Sequence, residues 1–233
     1  MEWQTVAKRL FPAGHTIQQD GDLLLGSGQS ALGPVTVIGT SNHAEVGVEL
    51  ALALARAVLD VVRRRPQQAI LFLVDTGGQK LRHRDEMLGL NGFMAHLAKC
   101  VEVARGQGHS IISLVYDQAL SGGFLAYGMM ADICAALPGA EIRVMGISAM
   151  ARVTRIPEAQ LKALSETSPV FAPGADNYVL LGGIDAIWDG DLAQCLNRAL
   201  ANIVTLDLRR LHGFERGGRL LAHAVSERVA SAA

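Results

Sequence analysis

The sequence predicts an α/β domain built on parallel strands, and three observations carry that expectation. Short, continuously apolar, β-branched runs recur along the chain; they end in glycine turns; and most turns open into stretches with three-and-four apolar spacing. Runs that are apolar throughout, not alternating, are what strands show when both faces of their sheet are covered. With 233 residues, half of them hydrophobic, the chain can bury such a core as a single domain spanning 1–233.

The elements follow in order. Residues 1–34 hold Gly21, Gly26, Gly28 and Gly33 with few periodic apolar positions, so a loop-rich entry segment with one strand at Asp22–Leu25 is expected. Val35–Gly39 reads as a strand, and Leu50, Leu54, Val58 and Val61 form one helical stripe that Pro66 closes. Ile70–Val74 is a buried-type strand ending at Asp75-Thr76-Gly77-Gly78. A long helix with the stripe Met87, Leu90, Met94, Leu97, Val101 and Ala104 follows, ended by Gly106 and Gly108. A second buried-type strand, Ile111–Tyr116, leads through Ser121-Gly122-Gly123 into an apolar helical segment in which Tyr127, Met129 and Met130 read as core. Ile133–Leu137 and Ile142–Met145 are further strands, with a helix from Ile147. Residues 192–233 are expected to be one amphipathic helix, from Leu192 to about Arg210, and a tail whose last dozen residues are frayed or interfacial.

Composition removes several function classes. The net charge is −1 and no basic block interleaves with aromatics, so the chain lacks the footprint of a nucleic-acid binder. Arg63, Arg64 and Arg65 sit at a predicted helix end, where cations complement the dipole. Cys100, Cys134 and Cys195 are far apart, which points to neither a disulfide framework nor a metal knuckle and suits a reducing cytoplasm. No apolar run reaches membrane-spanning length and the first residues carry no leader pattern, so a soluble cytoplasmic protein is expected, with no membrane partner. Charged residues are 18%, below the usual quarter, which leaves surface for a subunit interface.

Chemistry is carried by two glycine corners, Gly77-Gly78 after one strand and Ser121-Gly122-Gly123 after the next. Backbone N–H groups are left unpaired where a helix begins, and such places bind anions. Two corners on neighbouring strands can converge on one carbonyl oxygen, and glycine admits a substrate close to the backbone. Either pair alone reads better as a tight turn; together they suggest an oxyanion hole, each donor of which is typically worth roughly 3–4 kcal/mol of barrier. A dinucleotide site is disfavoured because no GxGxxG follows a strand, and a serine hydrolase because Ala119, not glycine, precedes Ser121 by two residues. Glu141, Asp132 and Asp185 are candidate acids that nothing singles out. No metal site is expected.

Val74-Asp75-Thr76-Gly77-Gly78, Ser121-Gly122-Gly123 and Ala131-Asp132 resemble the alpha-type carboxyltransferase subunits of acetyl-CoA carboxylase. A closer resemblance, over most of residues 35–200, is to the gamma subunits of biotin-independent malonate decarboxylases, through Gly77–Glu86, Val144–Ala151 and Ser168–Gly174. It implies a crotonase-type ββα superhelix and a beta-type partner subunit of the same fold. It also implies decarboxylation of a malonyl thioester, carried on the phosphopantetheine group of an acyl carrier subunit, to the acetyl thioester. No cofactor would then be bound directly. The enolate would be stabilised by Gly77, Gly78, Gly122 and Gly123, with Ser121 at the corner. Lys80, Arg82, His83 and Arg84 would meet the carboxylate, the phosphopantetheine phosphate or the partner, although they also read as a solvated basic turn; His83 is a candidate proton source. Thr76-Gly77 departs from the Thr-Pro of the carboxylase alpha subunits, which weighs against biotin. Two other readings remain: a biotin-dependent carboxyltransferase alpha-type subunit, and a non-catalytic buttress of a catalytic beta subunit. A lone enoyl-CoA hydratase is disfavoured because the glycine turns lack a glutamate pair.

Overall fold

The computed structural model describes residues 1–167, 172–204 and 206–232. Apolar spacing at Trp3, Val6, Ala7 and Leu10 makes the first helix, α1 (Trp3–Leu10), which buries those four side chains. Then come β1 (Gln18–Asp20), β2 (Leu23–Ser30), β3 (Gly33–Thr40), β4 (Ala44–Val46), α2 (Val48–Arg64), β5 (Ala69–Gln79), α3 (His83–Met87), α4 (Leu90–Gly106) and β6 (Ile111–Leu120). The second half contains α5 (Ser121–Leu125), a 3-10 turn at Gly128–Met130, β7 (Ile133–Ala136), β8 (Glu141–Arg143), α6 (Ile147–Thr154) and α7 (Glu158–Thr167). It ends with α8 (Ala175–Leu180), β9 (Ala186–Ile187), α9 (Leu192–Ala201), α10 (Arg209–Glu215) and α11 (Leu220–Ser231).

The strands form one mixed sheet in the order β1-β2-β3-β5-β6-β7-β9. From β3 onward all pairings are parallel, as the apolar runs predict, while β1-β2-β3 is an antiparallel meander. Alternate residues of β5 explain the two cores: Ile70, Phe72 and Val74 point toward α2 and α4, whereas Leu71 and Leu73 point toward α1 and α9. Leu54, Val58, Phe72 and Leu97 are fully buried, each worth roughly 1.5–3 kcal/mol of transfer free energy. Among the described residues no helix is long and apolar enough to cross a membrane.

The two central strands run longer than their apolar cores. Past Val74 the register slips, and the end of β5 (Thr76–Gln79) takes β4 as a parallel neighbour. The end of β6 (Gln118–Leu120) likewise takes β8. β4 and β8 are thus short branches of the sheet, held on the ends of the very strands that fill the core.

Several expectations are corrected. Residues 1–34 are not loop-rich: they form α1, β1 and β2, and two of the glycines mark close approaches. A Cβ on Gly26 would stand 2.5 Å from the Ile17 backbone, and one on Gly28 would stand 2.3 Å from the Phe11 ring. The expected long helix from Met87 is two helices, broken at Gly89, whose φ of 77° ends α3. Between 192 and 232 the described residues form three helices, α9, α10 and α11, where one helix to about Arg210 and a tail were expected. Ser168–Phe171 of the third family-like motif lies outside the described residues.

Candidate functional site

The two glycine corners meet. Gly78 adopts φ 102°, and a Cβ there would lie 3.2 Å from Ser121 Cβ and 3.3 Å from the Leu120 carbonyl oxygen. A Cβ on Gly123 would lie 2.7 Å from both the carbonyl carbon and oxygen of Gly78, so α5 abuts the end of β5 backbone to backbone. The corners differ in kind, however. Ser121-Gly122-Gly123 opens a helix, as expected, whereas Gly77-Gly78 remains in β5 and opens none. The reason is β4, which supplies Gly78 with a strand neighbour, while the Gly78 amide donates to Thr76 Oγ1 at 3.1 Å.

That leaves α5 as the place where donors are free. The helix has no side-chain cap, and among the described residues the amides of Gly122 and Gly123 have no hydrogen-bond partner. Ser121 carries φ 49° at the strand-to-helix corner; a left-handed non-glycine residue costs of order 1–3 kcal/mol and clusters at functional sites. Gly77, Ser121 and Gly122 are partly accessible, and Gly78 and Gly123 are buried. A Cβ on Gly122 would meet only the Gln79 side chain, at 2.9 Å from Oε1, so Gln79 flanks this opening.

On the other side of β5 sits a pair that sequence reasoning missed. Asp75, with its side chain 5% exposed, faces His43, with its side chain 57% exposed. The His43 backbone N–H donates to Asp75 Oδ2 at 2.8 Å, and His43 Nδ1 lies 2.8 Å from Oδ1. His43 and its neighbour Asn42 have φ of 49° and 61°. Below them the Asp75 amide donates to Thr40 Oγ1, Tyr127 Oη lies 2.8 Å from that same oxygen, and Tyr116 Oη donates to the Thr40 carbonyl. Burial pushes both tyrosine hydroxyls well above their ordinary range, so they remain neutral. The sequence carries no local signal for the pair, because the partners are 32 residues apart and only the sheet register joins them.

The basic turn is largely accounted for by its neighbours. Arg82 Nε donates to Asp85 Oδ2 at 2.6 Å, and Arg84 donates to Glu49. Asp85, fully buried, also accepts from the Val48 amide at 3.0 Å and so caps α2 from 37 residues away. The Arg82 guanidinium first, then that amide, holds the Asp85 carboxyl below its usual range; Arg84 does the same for Glu49. Lys80 shares a shallow recess with Asp20, Asp22, Glu45 and Glu49. His83 is exposed, with no hydrogen-bond partner for its ring among the described residues. The candidate acids have structural work: Asp132 accepts from Arg105 and from the Ile111 amide, Asp185 accepts from the Cys134 amide, and Glu141 accepts from Gln118 and pairs with Arg143.

A mixed sheet whose two central strands gain short parallel neighbours at their ends, with a glycine-opened helix following one of them, is that of a crotonase-type, carboxyltransferase-like subunit. The comparisons narrow this class. Residues 41–233 match the family model described as malonate decarboxylase gamma subunit. A Pseudomonas malonate decarboxylase hetero-tetramer in complex with coenzyme A contains a chain 28% identical to this one, with a TM-score of 0.79 and 96% of each chain covered. A Pseudomonas malonate decarboxylase hetero-dimer contains one 30% identical, with a TM-score of 0.75 and the same coverage. The malonyl-S-ACP:biotin-protein carboxyltransferase of Malonomonas rubra is 28% identical over 195 residues, 76% of this chain and 67% of that protein. The chain belongs to the malonate decarboxylase gamma subunit family.

Proposed function

We propose that this chain works with a beta-type subunit to decarboxylate a malonyl thioester held on an acyl carrier subunit, and that its Gly122 and Gly123 amides stabilise the enolate oxygen. The observation that carries the reading is the uncapped start of α5, whose free amides are seated against β5 by a contact that only glycine permits at Gly78 and Gly123. When the carbon–carbon bond to the carboxylate breaks, its electron pair moves onto the thioester oxygen. Donors fixed beforehand stabilise that charge without reorganising. Gly78, whose own amide is occupied by Thr76, contributes by admitting α5; Gly77 and Ser121 border the opening. Arg82 and Arg84 pin the basic turn to α2, leaving Lys80 and His83 to meet the carrier's phosphate.

The hetero-dimeric and hetero-tetrameric Pseudomonas relatives support the need for a partner, and the name of the Malonomonas relative supports a carrier-bound malonyl substrate. That same name favours a second reading, carboxyl transfer to a biotin protein. The test is reconstitution of the complex with a malonyl-loaded carrier. Release of carbon dioxide with formation of acetyl carrier, insensitive to avidin, is expected. Inhibition by avidin, or carboxyl transfer to biotin without gas release, would overturn the first reading in favour of the second. Full turnover by the partner with this chain's Gly122 blocked would make the chain a buttress.

A further inference from the structure

A malonyl group differs from its acetyl product by one carboxylate, and the site must recognise that group without stabilising it so well that it stays. Naming the residue that does so rests on the decarboxylase reading and deepens it. Beside the free amides of α5 stands Gln79, the last residue of β5. Its Oε1 lies 2.9 Å, and its Cδ 3.9 Å, from where a Gly122 Cβ would stand. A Cβ is roughly 2.5 Å from the nitrogen of its own residue, so Oε1 is about 5.4 Å at most from the Gly122 amide nitrogen. A substrate oxygen accepting from that N–H at about 2.9 Å is therefore within reach of the carboxamide. The carboxamide turns its oxygen toward Gly122, and its N–H donors stand farther out. With the thioester oxygen on the Gly122 and Gly123 amides, the carboxylate is one methylene away, a span that this rotatable side chain covers.

Nothing else engages Gln79. Among the described residues its carboxamide has no hydrogen-bond partner, although the residue is only partly exposed. The cations around it are committed elsewhere. Lys80, next in the strand, points to the opposite face: its Cδ lies 3.1 Å from where a Gly47 Cβ would stand, in the recess with four acids. Arg82 is held by Asp85 and Arg84 by Glu49. Across β6, Arg143 stands beside Leu120 and pairs with Glu141. The side chain at the Gly122 opening is thus a neutral one, and neutrality suits the reaction. As the carbon–carbon bond breaks, negative charge leaves the carboxylate for the thioester oxygen. A cation at the carboxylate would stabilise bound substrate more than the transition state and raise the barrier. A carboxamide N–H selects the carboxylate while holding its charge less strongly.

We propose that Gln79 is the residue by which the site recognises the malonyl carboxylate, donating from Nε2 while the Gly122 and Gly123 amides hold the thioester oxygen. Gln79 is then the specificity determinant that distinguishes malonyl from acetyl thioester, and its bond is lost as carbon dioxide leaves.

The experiment uses the reconstituted complex, with malonyl carrier as substrate and acetyl carrier, which has no carboxylate, as competing product. Gln79→Leu is expected to raise KM for malonyl carrier about 10- to 100-fold, the effect of losing one hydrogen bond to a charged group, with kcat within about threefold. The inhibition constant of acetyl carrier should stay within about twofold of wild type, whereas a merely structural role would move both constants together. Gln79→Glu is expected to raise KM further by like-charge repulsion. Gln79→Lys should leave KM no higher than wild type and lower kcat about tenfold or more, because the cation holds the charge that must depart. Gln79→Leu with KM within about twofold of wild type overturns the proposal, and so does a rise in the acetyl-carrier constant that matches the rise in KM. If that variant fails to assemble, equal KM values for Gln79→Glu and Gln79→Lys overturn it instead. Wild-type complex that releases no carbon dioxide defeats the decarboxylase reading itself, an outcome distinct from an active wild type that Gln79→Leu leaves unchanged.

Discussion

Alanine at Gly123 and alanine at Gly122 should separate the architecture of the corner from its chemistry. At Gly123 the new Cβ would stand 2.7 Å from the carbonyl carbon and oxygen of Gly78 and 2.9 Å from Thr76 Oγ1. These are strand atoms with no freedom to turn away, so α5 must retreat by the difference between 2.7 Å and ordinary contact at 3.4 Å. Overpacking of this kind costs about 1–3 kcal/mol, and in a chain of this size each kcal/mol is about 2–4 °C in Tm, so Gly123→Ala should melt roughly 2–12 °C lower. At Gly122 the new Cβ meets only the tip of Gln79, at 2.9 Å from Oε1, with its next contact at 3.9 Å. That amide can rotate aside, so Tm should change by about 2 °C or less. Yet the methyl group and the displaced Gln79 would crowd the mouth of the donor site, so kcat/KM of the reconstituted complex should fall about 10- to 100-fold, or roughly 1.4–2.7 kcal/mol. Differential scanning calorimetry of the chain and carbon dioxide release by the complex measure the two effects. A Gly123→Ala chain that melts with the wild type would break the packing half of this account, and normal turnover by Gly122→Ala in an intact complex would break the chemical half.

Tyr127→Phe should lower stability by about 1 kcal/mol, seen as a lower urea midpoint, because it removes the hydroxyl 2.8 Å from Thr40 Oγ1 in a fully buried site; an unchanged midpoint would show that bond to be idle. Asp85, whose folded carboxyl lies below its unfolded value of about 3.9, contributes stability that is fully present above that value and is lost as pH falls through the lower folded one. The urea midpoint of Asp85→Asn should therefore lie below wild type at about pH 7 and converge on it in acid; a gap that widens in acid would refute this. Burial, then the charge of Asp185, pushes the Cys134 thiol up to about 12. Iodoacetamide at about pH 8 should label Cys134 only after denaturation, and rapid labelling of the native chain, read by peptide mapping, would contradict its packing.

The division between what the sequence states and what it conceals follows from the range of the forces involved. Ile70–Val74 and Ile111–Tyr116 announce themselves because a strand covered on both faces must be apolar at every position, a local signature of a global fact. Gly26 and Gly28 mislead, since a glycine demanded by the Phe11 ring or the Ile17 backbone looks in one dimension like a glycine demanded by a turn. The cations of the basic turn are half legible: their poor fit to a helix start requires partners, but Glu49 is supplied by α2, 35 residues from Arg84. The glycine corners are legible as a pair, yet Gly77-Gly78 reads as a helix start because β4 is too short, at three residues, to be seen before the sheet is assembled. His43 and Asp75 escape for the same reason. What unites these cases is that the candidate site is made where β5 and β6 leave the main sheet and acquire new neighbours. The apolar runs fix where those strands run, whereas the chemistry depends on what β4 and α5 bring beside their ends. A change that loosens β4, such as replacing Val46 in its buried position, should therefore disturb Gly78 and His43 together while leaving the core strands in register.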